Sequence, residues 1–264
     1  MTETSAPPVG DRAVAAQEWE LWHANREQQV FGSHGVAAIA SLTWLDSEPV
    51  EIAGVPGRWS TDGDQPLATG LSDDFFLAPG EVRELQSDSL SGSEPRTLQL
   101  RGIKLGDDVA LLVFDPQSLT LSRYSGIASF DYDPAWVVGG RFEPADPGSV
   151  IGVDHEHGKR LDDPLVGVVR FEHAGNSYEF AAFPYLEGRL HITFSDETSG
   201  HTSDKYRFLT LSAPDADGNV VVDFNRAYLP PCSFSDQYPC PIPPAQNRLP
   251  FAVTAGETFP IKRD

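Results

Sequence analysis

The chain has 264 residues, 40% of them hydrophobic and 10% aromatic, enough to bury a core in one large β-rich domain or two ordinary ones. Its 19 basic and 39 acidic side chains leave a formal net charge of −20, a field that repels phosphate polymers and anionic bilayers. Nucleic acid and membrane are therefore not expected as partners, and the acidity is read first as solubility.

Residues 1–12 are polar, lack the apolar run of a signal peptide and read as a disordered tail. A helix is expected over 13–31, where Trp19, Trp22, Arg26 and Val30 recur at helical spacing and form one packing stripe. No apolar run is long enough to span a bilayer. The expected location is the cytoplasm, where thiols are kept reduced.

From Gly35 onward β-prone runs alternate with Asp-Gly, Asp-Pro, Gly-Asn and Pro-Gly turn signals. They include RTLQLRG, VALLVF, LTLSRY, LVGVVRFE, SYEFAAF, RLHITF, NVVVDF and LPFAVTA. Val109–Phe114 and Leu119–Tyr124 read as a hairpin across Asp115-Pro116-Gln117-Ser118. Gly175-Asn176 and Glu187-Gly188 read as two further hairpin turns. The fold expected is mainly β, an antiparallel sandwich or barrel-like single domain over 13–264 carrying the N-terminal helix. The stretch 87–95 is the best candidate boundary but reads as a surface loop.

The common nucleotide, zinc-protease and hydrolase-elbow motifs are absent. Asp154-His155-Glu156-His157 looks metal-like, yet two histidines fall short of a ligand set, so it reads as a charged surface loop and no metal is expected. In Ser195–His201, Asp196 and Thr198 can tie a turn that Gly200 completes, or else present polar groups with His201 as a base. Asp223–Arg248 holds both cysteines and six of the 22 prolines, so it must be a fixed, irregular loop. Cys232 and Cys240 read as buried structural thiols, with a metal site, or a reactive thiol or disulfide in electropositive surroundings supplied by Arg226 or Arg248, as alternatives. Along Asp223–Tyr228, Arg226 offers a fork for an anion or a lock onto Asp223 or Asp196.

These residues also carry a resemblance. DFNRAYLPPC, CPIPP, NRL and AGE, with FSDETSG upstream and Trp22, Arg26 and SLTWL near the start, resemble the bacterial and archaeal family called domain of unknown function 1684. The resemblance runs from about Trp19 to Glu257. Leu229 stands where the family pattern has asparagine, Ile242 replaces leucine, and the Thr-Tyr that follows the T-S-G turn is missing. The resemblance implies a β fold and a site region but no reaction and no cofactor.

The function expected is binding of, or action on, a small molecule where the T-S-G turn meets the Asp223–Arg248 loop. Asp196 and Asp223 are the candidate proton-handling groups. Thr198, Asn225, Arg226, Tyr228, Asn247 and Arg248 are the candidate binding groups, an anionic ligand being suited to the arginines. The alternatives are a non-catalytic structural or binding protein and a flavin-like cofactor in a β barrel.

Overall fold

The stripe of Trp19, Trp22, Arg26 and Val30 lies on α1 (Val9–Phe31), whose buried and half-buried positions recur every three or four residues. The computed structural model describes residues 9–71, 75–87 and 95–263. The helix starts at Val9 rather than Ala13, so residues 9–12 are helical rather than tail, and residues 1–8 lie outside the described residues. The loop at 87–95 also falls mostly outside them. Among the described residues no helix is long and apolar enough to cross a membrane.

The protein is mainly β and antiparallel. The sequence shows no linker, yet the chain groups into two compact units. One holds Glu27–Ser125 with Phe234–Tyr238, and the other holds Gly126–Ser233 and Pro239–Ile261 with α1 up to Arg26.

The first unit contains β1 (Ile39–Leu45), β2 (Val50–Ile52), β3 (Val55–Asp62), β4 (Gln65–Thr69), β5 (Phe75–Phe76), β6 (Val82–Ser87), β7 (Arg96–Leu105) and β8 (Asp108–Phe114). They form two four-stranded sheets, β1-β8-β7-β6 and β2-β3-β4-β5. Between them Trp59, Leu77, Leu98, Leu100 and Leu111 are buried together. The hairpin expected across Asp115–Ser118 does not form: β8 pairs with β1 and β7, and Leu119–Arg123 is a short helix, α2. Ser118 caps that helix by accepting from the Thr120 amide at 3.2 Å, a local bond that outweighs the β preference of Leu-Thr-Leu. β9 (Tyr124–Ser129) follows.

The second unit contains β10 (Val137–Pro144), β11 (Val150–Asp154), β12 (Arg160–Pro164), β13 (Gly167–His173), β14 (Asn176–Pro184), β15 (Leu190–Phe194), β16 (Arg207–Leu211), β17 (Asn219–Asp223) and β18 (Glu257–Lys262). Six of these form one sheet in the order β16-β15-β14-β13-β10-β17. The turns at Gly175-Asn176 and Glu187-Gly188 join β13 to β14 and β14 to β15, as their residues predict. Alternation puts Leu190, Ile192 and Phe194 of β15 and Leu209 and Leu211 of β16 into the main core with Phe171, Phe180 and Phe224. His191 and Thr193 of β15, and Phe208 and Thr210 of β16, take the opposite face in matched register.

LPFAVTA is not a strand. Leu249, Val253 and Ala255 enter the core from irregular backbone that bonds the backbone of Ser195 and Glu197 and, at Val253 and Ala255, the side chains of Asp196 and Arg207. In the Asp154–His157 stretch Asp154 is exposed, as a charged surface loop predicts, but His155 is not. The stretch turns the β11–β12 hairpin, and His155 is buried there. The side chain of His157 lies outside the described residues.

Candidate functional site

The T-S-G turn closes on itself. Asp196 Oδ1 accepts from the amides of Thr198 at 2.7 Å and Val253 at 3.2 Å, and its Oδ2 meets Arg207 Nη2 at 2.7 Å. Both partners of this ion pair have fully buried side chains. Arg207 also donates to the carbonyls of Val253 and Ala255, and Thr198 Oγ1 bonds Ser203 Oγ at 2.7 Å. Burial pulls the Arg207 guanidinium below its usual value, against the charges of Asp196 and Glu257. Gly200 permits the turn by taking a φ of +75°. His201 is exposed beside it.

The DFN, NRL and AGE residues are latches of the same kind. Asn225 is buried; its side chain exchanges two bonds with the backbone of Asp133, and its carbonyl accepts from Trp19 Nε1 at 2.7 Å. Trp19 thus fastens α1 as its place on the stripe predicts. Asn247 is buried and ties to Ala181 and Thr193 of β14 and β15. Glu257 is fully buried, accepts from the Leu229 amide at 2.7 Å and faces Arg26 Nε at 3.4 Å, while Arg26 Nη2 donates to the Leu229 carbonyl. Leu229 therefore contributes its backbone to this clasp, and its side chain is buried. A Cβ on Gly256 (φ +79°) would stand 2.6 Å from the Ala227 carbonyl oxygen, so only glycine fits there. Asp223 pairs with Arg226 at 3.3 Å and bonds Asn225. Burial pushes its carboxyl up, against the pull of Asn225 and Arg226. Arg248 is exposed.

Among the expected residues only Tyr228 joins a different feature, a row of aromatic rings on the face of β15 and β16 opposite the main core. Tyr185 stacks on His191 at 5.9 Å, and His191 meets Phe208 edge-on at 4.6 Å. Phe208 meets Tyr228 edge-on at 5.9 Å, and Tyr206 lies 6.2 Å from Phe208. Guanidinium groups cap the row: Arg189 lies over Tyr185 at 5.6 Å and Arg26 over Tyr228 at 4.9 Å. The Tyr228 hydroxyl bonds Thr210 Oγ1 at 3.0 Å. Tyr185 is 44% exposed, so the row opens to solvent at that end. His191 Nδ1 is buried and has no hydrogen-bond partner among the described residues. Burial depresses this imidazole to about 4, so it is neutral at pH 7.

Residue-by-residue reading of the sequence missed His191, Phe208, Tyr206 and Tyr185. The signal was the alternation in RLHITF and RFLTL, which sets a histidine, two threonines and a phenylalanine on the face opposite the leucines.

Beyond Tyr206 the row reaches the cysteines. The Tyr206 hydroxyl lies 3.1 Å from Cys232 Sγ and 3.2 Å from Glu156 Oε1, and Lys205 Nζ is 3.6 Å from the same carboxylate oxygen. The Cys232 amide donates to Cys240 Sγ at 3.3 Å, and both cysteines are free thiols. His155 braces this corner by bonding the Pro239 carbonyl and Asp163. Burial works to lower that imidazole's pKa, but the bonds to Asp163 and Pro239 and the charges of Asp163 and Asp154 outweigh it and raise it. Arg226, an expected electropositive neighbour of the thiols, is paired with Asp223 instead. Among the described residues no group of three or more His, Cys, Asp or Glu side chains could hold a metal ion.

Residues 122–258 match the family described as protein of unknown function, DUF1684. An uncharacterised protein of Haloarcula marismortui, solved by solution NMR, is 33% identical over 51% of this chain and 76% of its own, with a TM-score of 0.42. No curated protein matches. The T-S-G turn, the rings of the aromatic row and both cysteines all fall inside the matched range.

Proposed function

The chain belongs to the DUF1684 family of proteins of unknown function, and from that premise we propose that it binds a small, flat molecule with an anionic group at the aromatic row of β15 and β16. The observation that carries this reading is His191 Nδ1, a buried polar atom left without a partner between the rings of Tyr185 and Phe208. Leaving such a group unsatisfied costs about 1–3 kcal/mol, which a ligand atom placed there recovers. The neutral imidazole can donate or accept, according to its tautomer. The rings supply stacking surface, and the exposed Arg189 supplies a cation for the anionic group.

In this reading Asp196, Thr198, Asn225 and Asn247 hold the loops that frame the row, and Tyr228 is the member of the expected set that meets the ligand. Asp223 and Arg226 neutralise each other and Arg248 is exposed, so none of the three is assigned to the ligand. An acidic chain with two free thiols suits the cytoplasm, which is included in the proposal.

A panel of aromatic carboxylates screened by ligand-observed NMR tests the reading against the wild type and His191→Phe. The variant keeps a ring in the row and removes the nitrogen. At least one carboxylate should bind the wild type and bind His191→Phe at least about tenfold more weakly, a difference of about 1.4 kcal/mol. Equal binding to both proteins, with circular dichroism unchanged, rejects it.

A further inference from the structure

Cys232 and Cys240 are the only cysteines of the chain, and the fold brings them together at the edge of the β11–β12 hairpin. Cys240 is held rigidly: its carbonyl accepts from the Glu156 amide at 2.9 Å, and the next residues bridge to His155 and Asp154. Its side chain is fully buried, whereas Cys232 is partly exposed. The Cys232 amide donates to Cys240 Sγ at 3.3 Å, which sets the two side chains side by side, and the Cys232 sulfur has the Tyr206 hydroxyl at 3.1 Å. Tyr206 in turn donates to Glu156, a partly exposed carboxylate beside Lys205. A continuous proton path therefore runs from the Cys232 thiol through Tyr206 to a carboxylate at the surface.

We propose that Cys232 and Cys240 are a redox-active dithiol that reduces small hydroperoxides, Cys232 attacking and Cys240 resolving. This rests on the thiol geometry alone and is independent of the ligand reading above. The Cys232 proton leaves along Tyr206 and Glu156, and the thiolate attacks the outer peroxide oxygen. The O–O bond breaks, Cys232 becomes a sulfenic acid, and the leaving alkoxide takes up a proton as the alcohol or as water. The Cys240 sulfur then attacks the Cys232 sulfur, expelling water and closing a disulfide. An external dithiol returns both residues to thiols and is itself oxidised. The assignment of roles follows from access, since the attacking sulfur must meet the peroxide and the resolving sulfur need only meet its neighbour. The bond from Cys240, burial's opposition notwithstanding, and the bond from Tyr206 together hold the Cys232 thiol below its usual value.

The full-length protein, treated with hydrogen peroxide and analysed by intact mass and peptide mapping, tests this without any variant. The expected result is loss of two hydrogens through a Cys232–Cys240 link, reversed by dithiothreitol. Persistent free thiols, or overoxidation without the link, overturn the proposal. In Cys240→Ser, dimedone should trap a sulfenic acid on Cys232; in Cys232→Ser no sulfenic acid should form on Cys240, and labelling at Cys240 reverses the assigned roles. Tyr206→Phe should slow oxidation by about tenfold or more at neutral pH and move the rate's pH profile upward. An unchanged profile removes Tyr206 from the proton path.

Discussion

Replacing Asp196 by asparagine separates a structural latch from a catalytic carboxylate. The substitution preserves shape and keeps an oxygen for the amides of Thr198 and Val253. It removes the charge facing Arg207, whose side chain is fully buried, and turns an acceptor at 2.7 Å into an amide that competes as a donor. Breaking one side of a buried ion pair costs about 3–5 kcal/mol, because the surviving charge stays desolvated. Arg207 also anchors the Val253 and Ala255 carbonyls, so displacing it would unpair two further buried groups. Apolar replacement of both partners is often harmless in other proteins. Here it would strip the Thr198 and Val253 amides and the two carbonyls of their partners, so Asp196→Leu with Arg207→Met should be no more stable than Asp196→Asn. Urea unfolding followed by circular dichroism measures both. A loss below about 1 kcal/mol in Asp196→Asn would refute the latch, being no more than a typical neutral hydrogen bond.

Gly256→Ala should lose well over about 1 kcal/mol, since alanine is strained at positive φ and its Cβ meets the Ala227 backbone; thermal denaturation reads this, and a neutral result contradicts the close approach. His191 gives a pH signature. Its folded value of about 4 lies below the ordinary 6.5, so its contribution is complete above pH 6.5 and is lost as pH falls toward 4, by at most about 3 kcal/mol. Comparing urea midpoints of wild type and His191→Phe from pH 7 to pH 4 isolates it: the variant should lose less stability on acidification. His155 has the opposite sign. Its raised pKa favours the protonated fold, so its contribution is present at low pH and fades as pH rises past its folded value; His155→Gln should flatten that part of the stability profile.

The parts of this fold that depend on spacing along the chain were legible in the sequence. The α1 stripe and the turns at Gly175-Asn176 and Glu187-Gly188 follow from local periodicity and turn chemistry, and they formed where expected. Leu119–Arg123 and LPFAVTA did not, because one serine cap and a set of side-chain bonds decided their backbone against β preference. The polar residues of the loop were visible, but their partners were not. Nothing near Asp196 in sequence announces Arg207 as its buried counter-ion, and nothing near Glu257 announces Arg26. The aromatic row arises only when β15 and β16 pair in register and Tyr228 pairs with Phe208. Single-residue chemistry therefore marked the polar residues of the loop, while their latches and the aromatic row depended on long-range pairing.

The most direct measurement is the side-chain nitrogen spectrum of His191 in histidine-labelled protein, recorded while an aromatic carboxylate found in the screen is titrated in. The imidazole should be neutral at pH 7, its Nδ1 resonance should move in proportion to occupancy, and that binding should be lost in His191→Phe. A ligand that saturates the protein while the His191 nitrogens stay unmoved would contradict the proposed binding at His191.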